Sequence, residues 1–93
     1  MPEQLQLPER LSAEGWKVKI RDREHGEPPH ATVIRATTSW RWDLRSRQFM
    51  DRNPDPRDVP DELVRLLRAH HADLVRRWDA TFPNNPVGLR EDE

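Results

Sequence analysis

The sequence predicts an α+β domain, a three- to four-stranded antiparallel meander covered on one face by one long C-terminal amphipathic helix. Three observations predict it. Residues 16 to 21 read Trp-Lys-Val-Lys-Ile-Arg, a period of two with an apolar face and a basic face. Residues 40 to 45 read Trp-Arg-Trp-Asp-Leu-Arg and alternate just as sharply. Leu63, Leu67, Leu74 and Trp78 then recur at helical spacing.

Taken in order, residues 1 to 14 are polar, with Pro2 and Pro8 and no sustained period. They are expected to form a partly ordered arm, or to anchor Leu5, Leu7 and Leu11 in a short helix after Pro8. Gly15 opens the first strand, in which Trp16, Val18 and Ile20 face the core and Lys17, Lys19 and Arg21 face out. Asp22 to Pro29 is the connecting loop, held extended by Pro28-Pro29. His30 to Thr38 is rich in β-branched residues and apolar on both sides, which places it centrally. Thr37 to Ser39 is expected to turn, and Trp40 to Ser46 to form the third strand. Phe49 and Met50 close the edge of the core, as a short fourth strand.

Pro54 and Pro56 interrupt the sheet pattern. A helix is expected to start near Asp58-Val59-Pro60-Asp61, where acidic groups and a first-turn proline suit the orphan amides. Val64, Val75 and Phe82 flank its apolar stripe, Arg65, Arg68 and Arg76 lie opposite, and Pro83 stops it. This divides the chain into a polar arm over 1–14, one domain over 15–82 and a flexible acidic tail over 83–93.

Composition narrows the functional classes. Of 93 residues, 33% are hydrophobic and 35% charged, so the core is thin. There is no cysteine, which removes disulfides and thiolate metal sites. No apolar run is long enough to span a bilayer. The opening Met-Pro-Glu-Gln-Leu is not a secretory signal, so a cytoplasmic protein is expected. Net charge is −1, against a globally basic nucleic-acid binder. Residues 15 to 47 nevertheless hold eight basic and four acidic side chains, a net of +4, between two acidic flanks.

Several residues together resemble a known family. They are His25, Pro28, Pro29 and His30 in a corner, Val59-Pro60 at the helix start, and His70, Leu74 and Trp78 along the helix. The pattern, over roughly residues 15 to 82, is similar to the small prokaryotic proteins grouped as domain of unknown function 4160. The family's corner usually reads Pro-Pro-His-Phe-His, whereas Ala31 and Thr32 stand in the last two places here. The resemblance implies no established activity. It implies a bacterial interaction protein, of a kind suspected as a partner in toxin–antitoxin-like gene pairs.

Two constellations are candidates for chemistry. His30 with His70 or His71 is a candidate metal set, and His25 with His30 a candidate acid–base pair. His70 and His71 are adjacent, however, and diverge by about 100° around a helix. Boundary histidines bonded to carbonyls or carboxylates explain the same residues. The second constellation is the basic sheet face of Lys17, Lys19, Arg21, Arg41 and Arg45, which suits phosphates or an acidic protein surface. Asp43 interrupts it, and all four tryptophans read as core rather than as stacking platforms. The expected function is a small non-enzymatic interaction or regulatory domain with a protein partner and no cofactor. Strand-edge oligomerisation is a further expectation. The alternative is an RNA- or DNA-binding protein, with a histidine-dependent nuclease as its catalytic form.

Overall fold

The computed structural model describes residues 3–21 and 28–87. The chain runs β1 (Glu3–Gln4), α1 (Glu9–Ala13), β2 (Trp16–Ile20), β3 (His30–Arg35), β4 (Thr38–Asp43) and β5 (Gln48–Phe49). A 3₁₀ turn (Pro56–Asp58) leads into α2 (Asp61–Ala69) and α3 (His71–Thr81). The five strands form one antiparallel sheet in chain order. The α+β class and the meander therefore match the sequence reading.

The sheet gains its extra strand from the segment expected to be an arm. β1 pairs with the end of β2, Glu3 opposite Ile20, and Leu5 N–H donates to Val18 O at 2.8 Å. Pro8 then sits at the N-cap of α1, and Leu5, Leu7 and Leu11 are all buried. Three apolar side chains in seven residues are enough to hold a short amphipathic turn against the sheet. Gly15 takes a φ of 93°, a left-handed turn that redirects the chain from α1 into β2.

The central strands follow the predicted alternation. Trp16, Val18 and Ile20 are buried, and Lys17 and Lys19 lie on the other side of β2. β3 is buried from His30 to Val33, as its central place requires. It ends at Arg35 rather than Thr38. The turn is a two-residue Ala36-Thr37 hairpin, with Arg35 opposite Thr38 and Ala36 at a φ of 55°. β4 consequently begins two residues before Trp40, and it ends at Asp43. There the Asp43 carboxylate accepts from the backbone N–H groups of Arg45 (2.7 Å) and Ser46 (3.2 Å), closing a side-chain turn.

The single long helix of the sequence reading is two helices. His70 is the joint, with a φ of −102° and ψ of 21°. Continued straight, the stripe would carry His70 between Leu67 and Leu74 on the buried side. The bend leaves His70 exposed and spares the imidazole that burial. His70 N–H still donates to Leu66 O at 2.9 Å, and Leu74 N–H to His70 O at 3.0 Å. Leu63 and Leu67 of α2, and Leu74 and Trp78 of α3, are completely buried.

Tryptophans dominate the core. Trp16 and Trp40 meet with ring centroids 5.5 Å apart, and Trp42 meets Phe49 edge-on at 4.9 Å. Trp78 lies 4.2 Å from Phe82. The segment after α3 packs as well: Trp78 Nε1–H donates to Asn85 O at 2.7 Å, and Val87 N–H to an Asp79 carboxylate oxygen at 2.8 Å. Residues 83–87 of the expected flexible tail are thus tied to the domain, and 88–93 lie outside the described residues.

Candidate functional site

The histidines are dispersed. His25 lies outside the described residues. His30, the first residue of β3, is 1% exposed, and its ring stands 5.5 Å from that of Trp78. Its Nδ1 lies 2.8 Å from Pro28 O. A carbonyl oxygen only accepts, so Nδ1 carries the proton and the stiff Pro28-Pro29 corner sets the tautomer. The helical ring that His30 meets is that of Trp78, seven residues and roughly 10 Å along a helix from His71. His70 is exposed at the joint, and His71 begins α3. Among the described residues, no group of three His, Asp or Glu is placed to hold a metal ion.

His71 is perturbed by its surroundings. Burial comes first and the nearby Arg47 cation second, and together they hold its pKa below the ordinary 6.5. Its Nδ1 is buried and has no hydrogen-bond partner among the described residues. The unfolded chain therefore takes up this proton first. His71 contributes its stability in full above about pH 6.5, and that contribution is lost as pH falls through the lower folded value. Urea midpoints at pH 7.5 and pH 5.5 are expected to fall further in the wild type than in His71→Gln. Equal falls would contradict this.

The basic face is partly assembled. β2, β3 and β4 are neighbours, and the register aligns Lys19, Thr32 and Arg41 in one row across the sheet. Arg41 is committed within the protein. Its Nε and Nη2 donate to the two carboxylate oxygens of Asp51, at 2.8 and 2.7 Å. That forked bond, then the Arg41 charge and the His30 ring, hold the Asp51 carboxyl below the usual carboxylate range against the opposing effect of burial. Arg45 falls beyond β4 and off the face. It donates to the backbone oxygens of Pro86 (3.1 Å) and Val87 (3.4 Å), fastening the segment after α3. Asp43, expected to interrupt the face, is occupied by its turn.

What remains is Lys17, Lys19 and Arg21, spaced two residues apart along one line of β2 and its first following residue. None has a carboxylate within ion-pair distance among the described residues. In an extended strand, successive members of such a line stand about 6.8 Å apart. Lys17 and Arg21 are exposed and Lys19 is half-buried. Trp16, Trp40, Trp42 and Trp78 are each 5% exposed or less, so none offers an open ring beside these cations.

Two hollows were not visible in the sequence. One lies at the hairpin end of the sheet, over the Trp16–Trp40 pair. Arg35 crosses it, with its guanidinium 5.4 Å above the Trp16 ring and its Nε donating to Glu14 O at 3.0 Å. The other is a groove between β5 and α2. Both are made by residues distant in the chain, and only the isolated aromatic of Phe49 marked either one. The chain matches no family model, no curated protein and no solved structure. No helix among the described residues is long and apolar enough to cross a membrane.

Proposed function

We propose that this protein is a non-enzymatic interaction domain that recognises an acidic surface on a protein partner. The observation that carries the reading is the line of Lys17, Lys19 and Arg21. These cations have no carboxylate among the described residues, whereas Arg41, Arg57, Arg76 and Arg77 are ion-paired. Cations aligned on one strand, with no carboxylate partner among the described residues, speed the encounter with an acidic partner and set its orientation. The buried, tautomer-fixed His30 supports a structural role for the corner rather than a proton-transfer role. The Pro-Pro-His corner and the His70-Leu74-Trp78 helix resemble domain of unknown function 4160. On that resemblance we infer a bacterial, cytoplasmic, toxin–antitoxin-like pairing as the setting.

Nucleic acid is the second reading, favoured by the even spacing of the three cations. Against it stand the Arg41 guanidinium, neutralised by Asp51, and the burial of all four tryptophan rings on which a base would stack. The first test is a titration of ¹⁵N-labelled protein with a ten-residue polyglutamate peptide. Amide shifts are expected to concentrate at residues 16–21 and to fade with added salt. Shifts scattered over the molecule, or confined to another face, would overturn the reading.

A further inference from the structure

We infer that the free edge of β5 is a second docking site, which accepts an extended peptide segment of a partner protein carrying one acidic side chain. The inference is independent of the cation line on β2. It starts from the hydrogen-bond pattern of the β4–β5 pair. Met50 N–H donates to Arg41 O at 2.9 Å, and Trp42 stands opposite Phe49. In an antiparallel ladder, bonded and non-bonded pairs alternate, so Trp42–Phe49 is a non-bonded pair. The N–H and C=O of Phe49 therefore point away from β4. β5 is the last strand of the sheet, and neither group has a partner among the described residues. An outward-pointing donor and acceptor on one residue are the two groups that an added strand engages.

Beside this edge lies a groove of about 380 Å³, lined by Trp42, Phe49, Pro56, Val59, Val64 and Arg68 among others. Phe49 shares the core-side face with Trp42, its cross-strand partner. A residue bonded opposite Phe49 would project onto the same face, toward Val64 and Arg68 of α2. Side chains two residues apart in the guest would share the groove, one apolar and one charged. The charge is set by Arg68. Its guanidinium lies 5.6 Å over the Trp42 ring and has no carboxylate partner among the described residues. A cation already seated on an aromatic face, at the rim of an apolar groove, suits a carboxylate from the guest. Arg57, also at the rim, is taken by Asp55, and Asp61 would repel a carboxylate placed at the other end. That asymmetry sets the direction of the peptide.

The probe is an acetylated, amidated hexapeptide, Thr-Ile-Thr-Glu-Thr-Thr, titrated into ¹⁵N-labelled protein. The Phe49 amide is expected to move furthest and to exchange more slowly with solvent. A matched peptide with Lys in place of Glu is expected to bind about fivefold more weakly. In Arg68→Glu, an exposed change that leaves the Leu63–Leu67 core intact, the order of the two peptides is expected to invert. No saturable shift at Phe49, shifts that follow residues 16–21 instead, or an unchanged order in Arg68→Glu would overturn the inference. So would concentration-dependent self-association that shifts Phe49 without peptide, since a second copy would then be the occupant. Because Lys17 and Lys19 lie off this groove, Lys17→Glu/Lys19→Glu separates failure here from failure of the polyglutamate reading.

Discussion

Trp78→Ala is expected to remove about 3–5 kcal/mol of stability, which is most of what a domain of this size has. The ring is completely buried. It touches Phe82 at 4.2 Å and the His30 ring at 5.5 Å, and its Nε1–H donates to Asn85 O at 2.7 Å. Its removal therefore opens a cavity between α3 and the start of β3. It also removes the indole donor to Asn85 O, one of the ties that hold the segment after α3. Urea denaturation measures the loss. Trp78→Phe, which keeps much of the volume and loses only the indole donor, is expected to fall between the two. A Trp78→Ala midpoint equal to the wild type would contradict the placement of α3 on the core.

Deleting residues 1–13 is expected to cost the cooperative fold. The segment supplies β1, the edge strand beside β2, and the buried side chains of Leu5, Leu7 and Leu11. A single buried Leu→Ala costs about 2–5 kcal/mol, and three leucines go at once. An exposed Arg10–Glu62 ion pair further ties α1 to α2, at a contribution below about 1 kcal/mol. Near-ultraviolet circular dichroism reads the result directly, because Trp16 borders the lost helix. The shortened chain is expected to lose its fixed tryptophan signal. A native-like signal with a sharp urea transition would show that 1–13 is an appendage after all. Leu11→Ala alone offers a graded check.

Both effects bear on what the residues disclosed. The alternation at Trp16–Arg21 and Trp40–Leu44 marked two strands and their inner faces, because period two is a direct consequence of strand geometry. Leu63, Leu67, Leu74 and Trp78 marked the helical stripe in the same way. The joint at His70 was not legible: no proline or glycine signals it, and it arises from keeping a polar side chain off a buried stripe. The role of residues 3–13 was hidden by their length. A two-residue strand has no periodicity, and three leucines among charges look like a solvated arm until a sheet edge is there to receive them. The turn falls at Ala36-Thr37 rather than over Thr37 to Ser39, because an alanine at positive φ is not a usual turn signal.

The candidate site was less legible than the fold. Lys17, Lys19 and Arg21 could be placed on one face from alternation alone. That Arg41 is held by Asp51 and Arg45 by the carbonyls of Pro86 and Val87 depends on pairings over 10 and 41–42 residues, which no local pattern encodes. The histidines were conspicuous by type. His30 is held by its bond to Pro28 and its contact with Trp78, and His71 lies half-buried near Arg47.

The measurement that bears most directly on the proposed function is the affinity of Lys17→Glu/Lys19→Glu for fluorescein-labelled decaglutamate, by anisotropy at low and physiological salt. Labelled ten-nucleotide uridine RNA runs alongside. The proposal predicts that the wild type binds the acidic peptide more tightly than the RNA. It also predicts that the double variant, equally folded, loses peptide binding by about tenfold or more. Tighter binding to the RNA would move the function to nucleic acid. Unchanged peptide binding in the variant would show that the β2 line is not the recognition surface.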